Sequence, residues 1–353
     1  MTLAVVAGAL GNKPWNGGSA WTRLSWLLGL ERLGFDVRFA EVIGRDAPPE
    51  AEEYLGLVLG RFGIERAQDP AEIAEAELLV NIGGHLPLEK PLAGIRAKVY
   101  VDDDPGYTQF WQASGLAGAR FDGHDFHFTL GANIGSAGCA IPTAGIEWRP
   151  ILPPSVLAEW PVPEGSGDAF TTVGSWRGAY GPVEWEGVTY GVKAHEFRKL
   201  ASLPQKVDAE FEIALDIDPA DEQDHELLEA GGWKLVDPRV STALPDDFRR
   251  YVQGSLAECS VAQGVYVETH SGWFSDRTAR YLSTGRPALV QDTGSHVPHG
   301  EGLLTFTNVD EAIAGAESIL ADYDRHAAGA RALAEELLDS DKVLGSLLEE
   351  VLT

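Results

Sequence analysis

Apolar residues along this chain fall in short runs that alternate with stretches of helical spacing. Leu3–Ala7 is such a run, and a loop rich in Gly, Asn and Pro follows it. Residues 20–34, AWTRLSWLLGLERLG, put Leu24, Leu27, Leu28 and Leu30 at helical spacing and stop at Gly34. DVRFAEVI predicts the next strand and AEEYLGLVLGRFG the next helix. AELLVNIGG and AKVYVDDD predict two more strands running into loops. Strands alternating with helices predict a βαβ series around a parallel sheet.

Between Glu147 and Gly167 the pattern lapses into a segment dense in Pro and Trp, which predicts an interdomain linker. A second series begins at AFTTVGSW and runs through HEFRKLASL, EFEIALDI, HELLEAGGW and DDFRRYVQG. GVYVET then reads as a strand, a helix follows, and PALVQ and GLLTFT read as further strands. The chain is helical after Asp310. The expected fold is α/β, with two Rossmann-like doubly wound domains, 1–150 and 151–335, facing a central cleft. Residues 336–353 are expected to form a helix that packs back on the first domain. Ligands of such sheets bind beyond the carboxyl ends of the strands, so the site belongs in the cleft.

Charge narrows the ligand. The formal net charge is −27, which lacks the basic footprint that nucleic acids and anionic membranes require. A small anion remains compatible, because a few local cations and backbone N–H groups can hold it. No apolar run is long enough to span a bilayer. MTLAVVAGAL has no basic start and reads as a buried strand, not a signal peptide. Two cysteines, Cys139 and Cys259, make neither a disulfide framework nor a zinc motif. A reduced, cytoplasmic setting is expected.

The sharpest local feature is residues 268–294, ETHSGWFSDRTARYLSTGRPALVQDTG. An apolar run breaks at Thr269, His270, Ser271 and Gly272, and a helix is expected to start between Ser271 and Ser275, with Ser275 a candidate N-cap. Unpaired N–H groups and the positive dipole end at such a start suit a diphosphate. His270 can donate to a phosphate oxygen, Gly272 permits close approach, and Ser271 and Ser275 add hydroxyls. Arg277 can add charge or point to solvent. Ser and Gly also occur in any strand-to-helix turn, so the turn alone does not decide.

The run HSGW-F-S resembles the HCGWNS core of the signature box in nucleotide-sugar-dependent glycosyltransferases of the GT-B fold. His270, Gly272, Trp273 and Ser275 match, and Ser271 replaces the Cys. The resemblance implies that this box holds the donor diphosphate. Phe274 stands where the family has Asn, and Thr278 stands where it has the ribose-binding Glu. Ribose contact is thus unassigned, with Asp276 the nearest carboxylate. STGRPALVQDTG resembles the following strand and Gly loop, implying that Asp292, Thr293 and Gly294 face the donor sugar. The family also implies an Arg and a Lys on the donor phosphates. Arg177 after TTVGSW and Lys193 before AHEFRKLA are the candidates, with ordinary surface cations as the alternative.

In the first domain, Gly17, Gly18 and Ser19 lie between the first strand and its helix and can approach phosphate or sugar. Relatives often carry a catalytic His there, and none occurs in this chain before Asn81. The candidate bases are therefore the strand-end groups Asp102, Asp104 and His85; capping before Pro105 is the alternative for the Asp residues. His124 and His127 are expected to be structural. Trp15, Trp21, Trp111 and Trp148 are candidates for an apolar acceptor pocket, with core packing as the alternative. The expected activity is sugar transfer from a nucleotide-diphosphate sugar, on UDP or TDP, to a small-molecule acceptor such as a natural product, with no metal or other cofactor. A nucleotide-sugar epimerase on the same fold and a non-enzymatic sugar-binding protein are the alternatives.

Overall fold

The computed structural model describes residues 2–67, 69–116, 118–178 and 180–353. Its first sheet contains β1 (Thr2–Ala7), β2 (Phe35–Ala40), β3 (Glu65–Arg66), β4 (Leu78–Ile82), β5 (Ala97–Asp102), β6 (Phe126–Thr129) and β7 (Trp148–Pro150). The strand order is β3-β2-β1-β4-β5-β6-β7, with parallel pairing throughout. β4 and β5 are buried at every position. Strands covered on both faces need continuous apolar runs, which is why LLVNI and AKVYV show little alternation.

The second half carries β8 (Ala169–Ser175), a small hairpin of β9 (Val183–Trp185) and β10 (Val188–Tyr190), then β11 (Glu210–Asp216), β12 (Lys234–Val236), β13 (Ala257–Ser260), β14 (Ala288–Gln291) and β15 (Leu303–Phe306). Six of these form a parallel sheet in the order β12-β11-β8-β13-β14-β15. In each sheet the strand order reverses beside its first strand, which opens a crevice at the carboxyl ends.

The helix Gly17–Arg32 joins the halves. Its Asn16 cap accepts from the Ser19 amide at 2.9 Å. The helix is buried almost all round, from Ala20 to Leu30, because it is covered from three directions. The first sheet lies on one side. The C-terminal helix Ser340–Leu352 packs on another, so tightly that a Cβ at Gly29 would lie 2.5 Å from Leu344. The third side meets the helix Pro245–Gln253, where Trp21 Nε1 donates to the Pro245 carbonyl at 2.8 Å. Trp160, from the Pro-rich segment between the sheets, is fully buried against Trp21, with ring centroids 4.8 Å apart. Buried aromatic pairs of this kind add stability beyond their area. Among the described residues no helix is long and apolar enough to cross a membrane.

One predicted element changes type. Gly264–Glu268 is a short helix, and the strand of that unit is β13, earlier in the chain. Val265 and Tyr266 pack against Tyr107, Phe110 and Ile141 of the N-terminal half, so tertiary burial accounts for the apolar run that resembled a strand.

Candidate active site

A cleft of about 690 Å³ lies between the carboxyl ends of the two sheets. The N-terminal half contributes Lys13 and Trp15 after β1, Gly18, Ser19, Thr22 and Arg23 from the first turns of the helix Gly17–Arg32, and Asp103 and Asp104 after β5. From the C-terminal half come Gly174 and Ser175 at the end of β8, Lys193 at the start of the helix Lys193–Lys199, and Asp237 and Arg239 after β12. Asp276, Arg277 and Arg280 project from the helix Asp276–Ser283.

The cleft lacks the acidic excess of the molecule. Asp and Glu outnumber Lys and Arg 54 to 27 in the whole chain. Among the described lining residues, six cations (Lys13, Arg23, Lys193, Arg239, Arg277, Arg280) face five carboxylates (Asp103, Asp104, Asp216, Asp237, Asp276). Burial, reinforced by Arg277, lowers the Lys193 ammonium to about 8. Burial also lowers the Arg280 guanidinium to about 10. Arg280 Nη1 donates to the Pro154 carbonyl at 2.7 Å, while its buried Nε has no partner. Arg277 is held by Glu258 at 2.8 Å and by the Val173 carbonyl at 2.8 Å. Burial of cations near one another is costly unless negative charge offsets it.

The three consecutive aspartates diverge. Asp102 is buried and accepts from Gln109 Nε2 and Thr129 Oγ1, both at 2.7 Å, and from Thr108 at 3.3 Å. Burial raises its carboxyl to about 7. It does not line the cleft, so its expected role as a base is corrected to a structural one. For Asp103 burial opposes the charge, but Arg23, 3.0 Å away, outweighs burial with help from Lys13 and His85, and the carboxyl sits below its ordinary range. Asp104 is raised by burial and by the charge of Asp103, and it faces the cleft. His85 packs against Gly83 beside Asp103, outside the lining. Burial, then Arg23, lowers its imidazole to about 4, so it is neutral at pH 7. Among the described residues no group of three or more His, Cys, Asp or Glu could hold a metal ion.

The sharp turn at His270–Ser275 meets the N-terminal half on one side and the cleft on the other, where Trp273 and Ser275 line it. The N-terminal half inserts Asn133 into the turn: Asn133 Nδ2 donates to the carbonyls of His270 at 2.9 Å and Gly294 at 3.0 Å. The Asn133 amide donates to the Ser271 carbonyl at 3.0 Å. Gly272 has φ 73° and would meet Asn133 at 2.9 Å if it carried a Cβ. Positive φ and close approach both demand glycine, but the approaching group is protein. His270, with φ 50°, is exposed and does not line the cleft. Ser271 is fully buried, and its hydroxyl donates to the Tyr266 carbonyl and accepts from the Trp273 amide, both at 3.1 Å. His270, Ser271 and Gly272, expected at the diphosphate, thus lie in the seam between the halves and outside the cleft lining.

Other assignments move as well. Phe274 is core, packed with Leu282 and Leu303. Asp292 accepts from the Gly294 amide, Thr293 Oγ1 donates to the Trp273 carbonyl, and none of the three lines the cleft. Arg177 is paired with Asp221 at 2.6 Å and lines a separate hollow with Trp176 and Tyr180. Lys193, Ser275, Trp273, Gly18 and Ser19 do line the cleft. Ser275 occupies the N-cap position without a side-chain capping bond. Gly17 abuts the other half, where its amide donates to the Thr242 carbonyl at 3.0 Å. Asp276 is bound to Thr22 across the cleft. Of the tryptophans, Trp15 lines the cleft, Trp21 is core, Trp111 meets Tyr180 edge-on, and Trp148 donates to the Thr143 carbonyl. His124 and His127 surround Tyr100 and bond to the Phe121 carbonyl. Sequence reasoning missed Arg280, although its spacing of three from Arg277 puts both on one helix face. It also missed Arg23, Lys13 and Tyr266.

No protein-family model matches the chain, and no curated protein matches it. Solved structures do. Anabaena Alr3699/HepE in complex with UDP and glucose superposes at a TM-score of 0.61 with 13% identity, over 99% of both chains. An alpha-glucosyltransferase, AGT, in complex with UDP superposes at 0.60 with 10% identity, over 100% of both chains. A putative UDP-N-acetylglucosamine 2-epimerase from Listeria monocytogenes reaches 0.50 with 13% identity, over 98% of this chain and 94% of that one. End-to-end likeness to these structures, with two parallel sheets facing one cleft, shows that the chain has the GT-B fold found in nucleotide-sugar glycosyltransferases.

Proposed function

We propose that the chain is a glycosyltransferase that draws its sugar from a nucleotide-diphosphate sugar, with UDP as the favoured nucleotide and TDP as the alternative. The observation that carries this reading is the cation-rich cleft in a strongly acidic molecule. It is supported by the UDP and UDP-glucose complexes of the structures that share the fold. The C-terminal half, 151–335, holds the nucleotide, and the N-terminal half, 1–150, receives a small-molecule acceptor, with a natural-product hydroxyl as the candidate class.

In the reaction the bond from the anomeric carbon to the diphosphate oxygen breaks, and a bond to the acceptor oxygen forms. The nucleoside diphosphate leaves with the electron pair. Lys193, Arg277 and Arg280 offset its growing charge from fixed positions, which requires no reorganisation as the charge develops. The acceptor's proton passes to Asp104, which faces the cleft and which burial and the charge of Asp103 make a stronger base than an ordinary carboxylate.

UDP should raise the melting temperature, and uridine should do so far less. Saturation at about 100 times the dissociation constant should add roughly 2.7 kcal/mol. Incubation with UDP-sugars, with and without a hydroxyl acceptor, separates the readings. Likeness to the Listeria protein keeps epimerisation as the second one. A new UDP-sugar formed without acceptor would replace transfer by epimerisation, and a protein that binds UDP-sugar without turnover would be a binding protein.

A further inference from the structure

Asp104 and Tyr266 come from opposite halves of the molecule, 162 residues apart in sequence, and meet in the cleft. The Tyr266 hydroxyl donates to Asp104 Oδ1 at 2.9 Å. We propose that Tyr266 is a positioning residue for Asp104: from the donor-binding half it aims and charges the carboxylate that the acceptor-binding half presents. The proposal rests on the transferase reading above.

Three observations carry it. First, Tyr266 has little freedom. Its ring is 2% exposed and lies between Trp273, with centroids 4.6 Å apart, and Tyr107, at 6.3 Å and edge-on. Its hydroxyl therefore holds Oδ1 in one place, as a rigid supporting group must. Second, Tyr266 is the only protein donor to Asp104 among the described residues, which leaves Oδ2 for the cleft. Asp103 differs: its carboxylate is committed to Arg23, and a permanently paired anion is a poor proton acceptor. Third, the bond crosses between halves. It forms only while the short helix Gly264–Glu268 sits against the N-terminal half, so alignment of the base depends on the placement of the half that carries Lys193 and Arg277.

The surroundings of Asp104 set the direction of the effect. Asp102 and Asp103 lie next to it at its own strand end, and Lys13 and Arg23 act on it from the β1 side. Tyr107 faces it from the helix Tyr107–Ala113, and Tyr180 and Lys193 from the C-terminal half. Burial and Asp103 favour the protonated form. The Tyr266 bond and the cations favour the carboxylate. A donor to the ionised form stabilises it, so deleting that donor must push the carboxyl still higher.

The test is Tyr266→Phe in the full chain, which keeps the ring between Trp273 and Tyr107 and removes one oxygen. Carboxyl-labelled aspartate is followed by carbon NMR in nucleotide-free protein, with the Asp104 resonance assigned through Asp104→Asn. Its midpoint should rise by about one pH unit in Tyr266→Phe. Tyr107→Phe loses a hydroxyl with no bond to Asp104 and should leave the midpoint in place. The acid limb of the kcat profile with a UDP-sugar and an accepted hydroxyl compound should rise with the Asp104 midpoint, while the dissociation constant for UDP stays within twofold. An unmoved midpoint overturns the proposal, and so does a moved midpoint with an unmoved kcat limb. If the wild-type chain turns over no nucleotide sugar, the transferase reading fails, while the titration still decides whether Tyr266 holds Asp104.

Discussion

Raising the pH from 7 to 9 should weaken UDP binding through a single lysine. Lys193 lines the cleft, and burial followed by the charge of Arg277 lowers its ammonium from 10.5 to about 8. At pH 7 about nine-tenths of the free protein carries that charge, and at pH 9 about one-tenth does. If the diphosphate needs the charged form, affinity falls roughly tenfold across the interval, about 1.4 kcal/mol. UDP contributes little there, because a terminal phosphate with a second pKa near 6 is already about nine-tenths ionised at pH 7. Calorimetry at pH 9 in two buffers of different ionisation enthalpy should register uptake of nearly one proton per UDP, falling towards zero at pH 7. Stability of the free protein should run the other way. A lysine lowered on folding holds its proton better in the unfolded chain between about pH 8 and 10.5, so unfolding free energy gains up to about 1.4 kcal/mol per pH unit there. Lys193→Met should flatten both slopes. UDP affinity that is level from pH 7 to 9, with no proton uptake, would refute the placement of the diphosphate against Lys193.

Four further outcomes follow from the geometry. Asp102, raised to about 7 by burial, stabilises the fold fully below its unfolded value and loses that contribution as pH rises through 7; Asp102→Asn should remove a loss of about 2 kcal/mol between pH 5 and 7 in urea titrations, with turnover retained. Gly17→Ala would place a Cβ 2.4 Å from the Leu244 carbonyl and 2.7 Å from that of Thr242; unfolding free energy should drop by about 1–3 kcal/mol, and UDP affinity should fall as the halves part. His270→Ala, at an exposed side chain outside the cleft, should change UDP affinity by less than about 0.5 kcal/mol in the same calorimetry. Turnover should survive EDTA, because Asp102, Asp103 and Asp104 point to different partners; loss on chelation, restored by Mg or Mn, would reverse that reading.

The expected order of strands and helices matches the structure along most of the chain, and the reason is local. A strand buried on both faces must be apolar throughout, as Leu78–Ile82 is, and a helix must repeat its apolar positions every three or four residues, as Leu24, Leu27, Leu28 and Leu30 do. GVYVET misleads because a five-residue helix is too short to show its period. Its apolar residues answer to Tyr107 and Phe110 rather than to a sheet.

The cleft was legible as a place before it was legible as a set of residues. The strand end marked Asp104, the loop after the first strand marked Gly18 and Ser19, and the family resemblance marked Lys193 and Ser275; the structure sets all five on one cleft. The HSGW run pointed to the fold the structure has, and the glycine at 272 does answer a positive φ, but sequence cannot say whether a phosphate or Asn133 makes the close approach. Sequence favours Arg177 for the donor phosphates and leaves Arg277 open, and only packing sends the first to Asp221 at the surface and the second to buried Glu258 beside the cleft. The divergence of Asp102, Asp103 and Asp104, the bond from Tyr266 to Asp104, and that from Thr22 to Asp276 depend on partners brought together by the docking of two halves. Hydrophobic periodicity is a property of neighbouring residues, and it determined two parallel sheets and their facing edges. The direction and proton affinity of each side chain in the cleft depend on burial and on charges from distant segments, and only the tertiary structure supplies those.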